Sequence, residues 1–250
     1  NTVKLYYKNY RAAEGRFQIN DDTTQRVMHL KRSDRLQEWV YRGRRLKSIR
    51  FSFEPFDSLR LFGASFEDGG GVYVDNFSLR GNSGMSLTGI SNAMLKKFNT
   101  YRHYRLVILQ FGLNMVVEDS LNYKAYVRRM VKVINDLKKD FPQASFLLMS
   151  VSDRSSNSTG QFETMNAIPA MRNAQRMIAQ QTKIAFWDLF EAMGGENSMV
   201  RFVTSKPALA AKDYTHLNFK GGKILAGSLV KSLLYSYERH EKKYDSKKEK

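Results

Sequence analysis

The chain has 250 residues, of which 42% are hydrophobic and 12% aromatic, a content typical of a globular protein with one large domain or a domain and a lobe. It contains no cysteine, which excludes disulfides, thiolate metal sites and a cysteine nucleophile. No run of about 18 apolar residues is present, so we expect no membrane span.

The formal net charge of +17 suits a polyanionic partner such as nucleic acid, anionic lipid or an acidic cell-wall polymer. Much of this charge lies in residues 31–47 and 238–250, where it can equally be solvated surface. No recognised nucleic-acid-binding motif accompanies the charge, so we expect no specific nucleic-acid partner.

The first 71 residues differ in pattern from the rest of the chain. Short segments rich in β-branched and aromatic residues are separated by turn signals such as Asp68-Gly69-Gly70-Gly71. The segments are residues 2–7, 27–30, 38–41, 46–53 and 59–63. Alternation is clearest at Ile49, Phe51 and Phe53 and predicts strands with one buried face. We therefore predict an antiparallel β lobe over residues 1–71.

From Val72 onward the pattern changes to strands that alternate with helices. The predicted strands are residues 72–79, 105–111, 145–151 and 184–187, and the predicted helices are residues 86–98, 123–139, 164–181 and 219–239. This alternation implies right-handed crossovers and a parallel sheet with helices on both faces. We predict an α/β three-layer sandwich over residues 72–240, followed by a frayed basic tail at residues 241–250.

Active sites of open α/β sheets form at the carboxyl ends of the strands. That rule selects the loops at residues 80–84, 112–114 and 152–157. Gly81 can present a backbone N–H without an intervening side chain, and Asn114 can donate from its amide. Two such donors aimed at one point would form an oxyanion hole. The alternatives are a turn glycine and an asparagine that caps the next segment.

A carboxylate and an imidazole lie three positions apart in Asp213-Tyr214-Thr215-His216. Histidine is the side chain best suited to proton transfer at neutral pH, and a nearby carboxylate can fix its tautomer and stabilise the imidazolium. The alternative is a helix cap, because Asp is a good N-cap and a helical pattern follows from Leu217.

These three motifs, taken in order, resemble blocks II, III and V of the SGNH-hydrolase (GDSL-type esterase) family. Block II would be Gly81-Asn82-Ser83-Gly84, block III Gly112-Leu113-Asn114 and block V the Asp213–His216 motif. The resemblance covers Val72 to about Arg239 and implies a flavodoxin-like SGNH fold. It also implies serine esterase chemistry, with Gly81 and Asn114 as oxyanion-hole donors, His216 as the base and Asp213 as its orienting partner.

A β lobe ahead of block II is similar to that of the cell-wall members of this family, including bacterial peptidoglycan O-acetylesterases. This resemblance implies a carbohydrate-binding-like insertion at residues 1–71 and a periplasmic or secreted location. It further implies that the substrate is an acylated carbohydrate or cell-wall polymer, which is hydrolysed at its O-acetyl groups. The competing class is a catalytically inactive carbohydrate- or envelope-binding module.

The chain departs from the family pattern because it lacks the Gly-Asp-Ser nucleophile of block I. Ser83 follows a predicted strand and precedes a predicted helix, but it lacks the G-x-S-x-G frame of a nucleophile elbow, so substrate binding is its other candidate role. We expect the nucleophile to lie upstream of Asn1, on a strand that belongs between residues 72–79 and 105–111. The empty slot would leave backbone groups unpaired. We therefore expect a separate peptide to fill it, or local distortion, whereas a continuous ladder between those two strands would contradict this hypothesis.

Two further expectations concern ligands. Arg154 lies in a loop at a strand's carboxyl end and is a candidate for binding an anionic or sugar substrate, with a simple polar loop as the alternative. Asp153, Asp188 and Asp213 are dispersed and are not accompanied by His-rich spacing. We therefore expect no metal site and no cofactor.

Overall fold

The computed structural model divides the chain into two units by its internal contacts. It describes residues 1–20, 22–54, 58–118, 120–158 and 160–248, with side chains as far as residue 241. The first unit comprises Asn1–Arg80 and Ile90–His103, and the second comprises Gly81–Gly89 and Tyr104–Lys250. This division differs from the predicted boundary after residue 71, because the first unit is longer and includes a helical segment.

Six antiparallel strands form two three-stranded sheets in the first unit. Their bounds are β1 (Thr2–Asn9), β2 (Ala13–Ile19), β3 (Arg26–Leu30), β4 (Ser33–Arg42), β5 (Ile49–Phe53) and β6 (Leu59–Glu67). The strand orders are β4-β1-β6 and β3-β2-β5, and alternate residues such as Leu5, Phe17 and Met28 share one core. The predicted antiparallel lobe is confirmed. The sequence analysis missed β2, although Phe17 and Ile19 alternate as a strand requires.

Helix α1 (Asn92–Arg102) completes the first unit. The predicted helix over residues 86–98 is wrong in its bounds, because Met85–Gly89 forms a 3₁₀ helix and α1 begins only after it. Gly89 explains the break, since glycine is a poor residue for continuing an α-helix. The last residue of α1, Arg102, is only 7% exposed; it donates to both carboxylate oxygens of Asp75 and to Glu67. This pairing compensates for burying its charge.

The predicted strand at Val72–Leu79 does not form. The segment has no strand hydrogen-bond pattern, and the side chains of Val72 and Leu79 are 93% and 71% exposed. The apolar alternation of these residues is compatible with a strand, but a strand needs a neighbour to pair its backbone groups. Because residues 72–79 form no strand, no ladder joins them to the strand that follows.

A three-stranded parallel sheet forms the centre of the second unit. Its strands are β7 (Leu106–Gln110), β8 (Ser145–Met149) and β11 (Ala185–Trp187), in the order β11-β8-β7. The two-residue strands β9 (Ser155–Ser156) and β10 (Glu163–Thr164) form a small antiparallel hairpin between β8 and β11 in the chain. The predicted parallel sheet is thus confirmed, with strands slightly shorter than expected and with a hairpin that the sequence analysis missed.

Five helices accompany this sheet within the described part of the second unit. They are α2 (Lys124–Asp140), α3 (Ala167–Thr182), α4 (Leu189–Met193), α5 (Ser198–Thr204) and α6 (Phe219–Lys248). Apolar residues at helical spacing, such as Met130 and Ile134 of α2, are fully buried. The tail predicted to fray is helical as far as Lys248, while residues 249–250 lie outside the described residues. None of the described helices has the length and apolar content needed to cross a bilayer.

One buried amide connects the ends of two sheet strands. Gln175 of α3 is fully buried, and its Nε2 donates to the carbonyl of Phe111 at 2.7 Å. Its Oε1 accepts the backbone N–H of Val151, also at 2.7 Å. Phe111 directly follows β7 and Val151 follows β8, so this side chain fixes the points at which two functional loops leave the sheet. Both backbone groups would otherwise be buried without partners.

We expect Gln175→Met to lower the free energy of unfolding of the second unit by about 3 kcal/mol, because it keeps the volume but leaves a buried N–H and a buried C=O unpaired. Gln180→Met is the matched control, since Gln180 lies on the same helix and is exposed. Urea unfolding followed by Trp187 fluorescence, in a Trp39→Phe background, measures the difference. Equal stability of the two variants would contradict the role assigned to Gln175.

Candidate active site

The Asp213–His216 motif forms a tight loop immediately before α6. Asp213 Oδ1 accepts the backbone N–H groups of Thr215 and His216, each at 3.0 Å. Its other oxygen, Oδ2, lies 2.8 Å from Nδ1 of the His216 imidazole. The carboxylate therefore holds both the backbone and the ring of His216 in one orientation.

The helix-cap alternative for Asp213 is wrong, because another residue caps α6. Helix α6 begins at Phe219, and Asn218 Oδ1 accepts the N–H groups of Lys220 and Gly221 at 2.9 and 3.0 Å. Gly221 is required at this point, since a Cβ there would lie 2.1 Å from the carbonyl oxygen of Leu209. Asp213 is consequently left to interact with His216.

Three hydrogen bonds lower the pKa of the Asp213 carboxyl to about 2. The backbone N–H of His216 is the largest cause, with smaller contributions from the imidazole and from the backbone N–H of Thr215, while desolvation opposes them. Because this value lies below the ordinary one of ~3.9, the carboxylate stabilises the loop above about pH 4. That contribution is lost as the pH falls through about 2.

The imidazole of His216 is available to a reactant. Its side chain is 75% exposed, and Nδ1 faces the carboxylate, so Nε2 on the far side of the ring points away from Asp213. An imidazole oriented at one nitrogen and accessible at the other can accept a proton in a bound complex. This geometry is compatible with the predicted roles of His216 as a general base and Asp213 as its orienting group, which stay predictions.

The predicted oxyanion donors lie on two adjacent loops. Asn114 Nδ2 donates to the carbonyl of Asn82 at 3.4 Å, which places the amide beside the residue that follows Gly81. Gly81 has a φ of 73°, and a Cβ at this position would meet nothing within 4 Å. Gly81 is exposed and lies on the same loop that Asn114 contacts.

Gly112 determines how closely the Asn114 loop approaches α3. It has a φ of 107°, in the region that favours glycine, and a Cβ there would lie 2.8 Å from Gln175 Nε2. The Asn82 loop is fixed from another side, because Tyr126 donates its hydroxyl to the carbonyl of Ser83 at 3.3 Å. Sequence analysis missed both Tyr126 and Gln175, since nothing in a helical pattern distinguishes a buried polar partner from an exposed one.

Ser83 and Arg154 are less engaged with this geometry. Ser83 Oγ accepts the N–H of Met85 at 3.3 Å, which caps the short 3₁₀ helix. Arg154 is half-buried, and its carbonyl accepts the N–H of Met165 at 2.9 Å. Among the described residues, no hydrogen bond joins either side chain to Asp213 or His216. Within the same ranges, no three His, Cys, Asp or Glu side chains converge as metal ligands would.

The β9–β10 hairpin contacts both halves of the candidate site. Ser156 Oγ donates to Glu118 Oε1 at 2.6 Å, in the loop that follows Asn114. Ser155 donates its N–H to the carbonyl of Tyr214 at 3.0 Å, inside the Asp213–His216 loop. The hairpin therefore connects the loop that follows Asn114 to the Asp213–His216 loop, although no direct hydrogen bond joins the two loops within the described residues.

Strand β7 has an open edge. Among the described strands it pairs with β8 alone, and its alternate residues Leu106 and Ile108 are 40% and 43% exposed. An apolar strand with unpaired edge groups readily accepts another strand. The unpaired edge is the one that faces away from β8.

One known structure shares the fold of most of this chain. A structure of a peptidoglycan O-acetylesterase superposes with a TM-score of 0.77 at 19% sequence identity, covering 95% of this chain and 65% of that chain. This chain has an SGNH-hydrolase-like fold. It spans about 65% of the length of the acetylesterase chain, and at this identity the likeness concerns the fold alone.

Two other known structures show a weaker likeness to this chain. A GDSL-like lipase from Parabacteroides merdae has a TM-score of 0.43 at 13% identity and covers 59% of this chain and 66% of its own. The acetyl xylan esterase AlAXEase has a TM-score of 0.45 at 18% identity and covers 62% of this chain and 77% of its own. No family model and no curated protein matches the sequence.

We expect a ¹³C NMR titration of the Asp213 carboxyl to have its midpoint near the pKa of about 2. His216→Ala should raise that pKa only part of the way to the ordinary value, because the two backbone N–H donors remain. His240→Ala, which removes an exposed histidine of α6, is the control and should change nothing. A full return to the ordinary value in His216→Ala would contradict the dominance of the backbone donors.

Proposed function

We propose that the second unit provides the base and the oxyanion-hole donors of a serine esterase. The observation that carries this proposal is the 2.8 Å contact between His216 Nδ1 and Asp213 Oδ2, together with the exposure of the imidazole. A buried ion pair of this kind would be structural, whereas an accessible imidazole with one oriented nitrogen suits proton transfer. The substrate would be an O-acetyl ester on a carbohydrate or cell-wall polymer.

In the first half of the proposed reaction, a serine hydroxyl attacks the ester carbonyl carbon and His216 Nε2 takes the hydroxyl proton. The carbonyl oxygen becomes an oxyanion, which the N–H of Gly81 and the amide of Asn114 stabilise by donating to it. Asp213 keeps the imidazole oriented and stabilises its positive charge. The imidazolium then protonates the sugar oxygen as the C–O bond breaks, and the acyl-serine remains.

In the second half, water attacks the acyl-serine while His216 accepts a water proton. The tetrahedral oxyanion again lies between Gly81 and Asn114. When it collapses, the serine oxygen leaves and takes the proton back from His216, and acetate is released. The ionised state of Asp213 persists through both halves, because its pKa of about 2 keeps it charged at any pH at which an ester enzyme would work.

The serine is proposed to come from a strand that pairs with the open edge of β7. Sheet strands β7, β8 and β11 are parallel, so a further parallel strand would end at the same edge of the sheet as β7. Its carboxyl end would then lie close to Gly112 and Asn114. Either an upstream segment of a longer chain or a separate peptide could supply it. Ser83 is the less favoured candidate, because its hydroxyl oxygen accepts the N–H of Met85 and no hydrogen bond joins it to His216 in the described residues.

The proposed substrate class and location depend on two supports. The fold is similar to that of a peptidoglycan O-acetylesterase over 95% of this chain. The net charge of +17 suits an anionic wall polymer and would increase its local concentration at the surface. A wall polymer substrate requires a periplasmic or secreted protein, so we propose that location.

Hydrolysis of p-nitrophenyl acetate tests the proposed activity. We expect no activity from the 250-residue chain alone and activity from a form extended by its upstream coding sequence. In the active form, His216→Ala should lower kcat/KM by roughly 10²–10⁴-fold and Asn114→Ala by roughly 10²–10³-fold. His240→Ala and Asn173→Ala, which alter exposed residues of the same types, should leave it unchanged.

Each outcome distinguishes the function classes. Inactivity of both forms towards acetyl esters, with binding to wall polysaccharide retained, would favour a non-catalytic binding module. Activity of the 250-residue chain that Ser83→Ala abolishes would contradict the assignment of the nucleophile to another strand. Full activity of His216→Ala would contradict every version of the proposed mechanism.

Amide hydrogen exchange tests the added strand independently of activity. We expect the amides of β7 that face its open edge to exchange more slowly in the extended form than in the 250-residue chain, because a new ladder protects them. Strand β8 is the internal control, since it is already paired on both sides. Equal exchange of β7 in the two forms would contradict strand addition at this edge.

A further inference from the structure

Two aromatic rings stack against each other beside the Asp213–His216 loop. The centroids of Phe162 and Tyr214 lie 3.6 Å apart and the ring planes differ by 5°. Tyr214 is the residue that directly follows Asp213, and Phe162 directly precedes β10. Phe162 is 38% exposed, whereas Tyr214 is half-buried and packs against a buried hydrophobic cluster of the second unit.

The conformation of Tyr214 makes the loop geometry possible. Its φ of 52° lies in the left-handed region, which residues with a Cβ avoid. This turn brings the backbone N–H groups of Thr215 and His216 onto the same carboxylate oxygen of Asp213. A bulky residue in this conformation persists only where its surroundings hold it there.

Backbone hydrogen bonds hold Tyr214 only in part. Its N–H donates to the carbonyl of Ala211 at 3.2 Å, and its carbonyl accepts the N–H of Ser155 at 3.0 Å. These bonds fix the main chain on either side of the residue but do not fix the ring. The ring packs against a buried cluster that includes Met199 and Leu225, and it stacks on Phe162.

The hairpin that carries Phe162 is firmly anchored. Asp153 is fully buried; its Oδ1 accepts the hydroxyl of Thr164 at 2.9 Å and its Oδ2 accepts the N–H of Met199 at 2.7 Å. Thr164 in turn accepts the N–H of Asn197 at 2.7 Å. Thr164 lies two residues after Phe162, so these bonds also fix the backbone near Phe162. The phenyl ring is thereby held against Tyr214.

We infer that Phe162 is a positioning residue for the Asp213–His216 pair, acting by stacking on Tyr214 and holding it in the left-handed conformation. The catalytic part of this inference rests on the proposed function, whereas its geometric part depends only on the contacts of the loop. Removing the phenyl ring should loosen Tyr214 and withdraw the two backbone donors from Asp213. The orientation of the imidazole would be lost with them.

A ¹³C NMR titration of the Asp213 carboxyl tests this inference without any assay of activity. In Phe162→Ala the Asp213 pKa should rise from about 2 by at least ~0.5 unit, towards the ordinary value, because the hydrogen bonds that lower it weaken. Phe162→Tyr keeps a flat ring and should titrate as the unaltered chain does. Tyr235→Ala removes an exposed aromatic ring of α6 and is the matched control.

The outcomes separate this inference from the proposed function. An unchanged titration in Phe162→Ala, or an equal rise in Phe162→Tyr, would overturn the positioning role even if the extended form is an active esterase. Conversely, the expected titration supports it even if no ester is hydrolysed. Should Phe162→Ala fail to fold by circular dichroism, Phe162→Leu keeps apolar volume without a flat face and should show the same rise. In an active form, Phe162→Ala should reduce kcat and leave KM nearly unchanged.

Discussion

The two hydrogen bonds of the buried Gln175 side chain are the constraint on which the candidate site depends. They connect α3 to the carbonyl that follows β7 and to the N–H that follows β8, at the edge of the sheet where functional loops begin. Because both strand ends are fixed, Gly112 lies close to α3. Asn114, two residues later, then lies beside Asn82. Because the end of β8 is fixed in the same way, the segment that follows it, which contains Asp153, leads into the β9–β10 hairpin.

A second constraint acts at the other side of the site, and it is local. Asp213 binds two backbone N–H groups and one imidazole nitrogen within four residues, so the base and its orienting group need little help from distant parts of the fold. What they need is a fixed position relative to the oxyanion donors. The β9–β10 hairpin supplies the connection, because Ser156 bonds to the Asn114 side and Ser155 bonds to Tyr214. His216 and Asn114 are thus positioned by different kinds of interaction.

The sequence predicted those parts that depend on local pattern. Apolar runs at β7 and β8 and helical spacing in α2 and α3 determine element type almost alone, and the Asp213-x-x-His216 spacing gives the carboxylate–imidazole contact directly. Three features could not be predicted. The burial of Gln175 depends on what α3 faces, the left-handed turn at Tyr214 depends on Phe162, which lies 52 residues away, and β9 and β10 are too short for any alternation to be read. The strand predicted at residues 72–79 was wrong for the opposite reason. The pattern of these residues suits a strand, but strand formation requires a partner.

The absence of a strand at residues 72–79 and the open edge of β7 raise the question of which interactions hold the candidate site. The loops that carry Gly81, Asn114, Asp213 and His216 are fixed by Gln175, Tyr126, Asp153 and Asn218, all within the second unit. None of those interactions uses the open edge of β7. The positions of these loops therefore do not depend on a strand paired with that edge. An added strand would need only to present a hydroxyl at its carboxyl end, and the burial of Leu106 and Ile108 would favour its binding. This independence matters for the proposed esterase, since electrostatic stabilisation is effective only when the donors do not have to reorganise during the reaction.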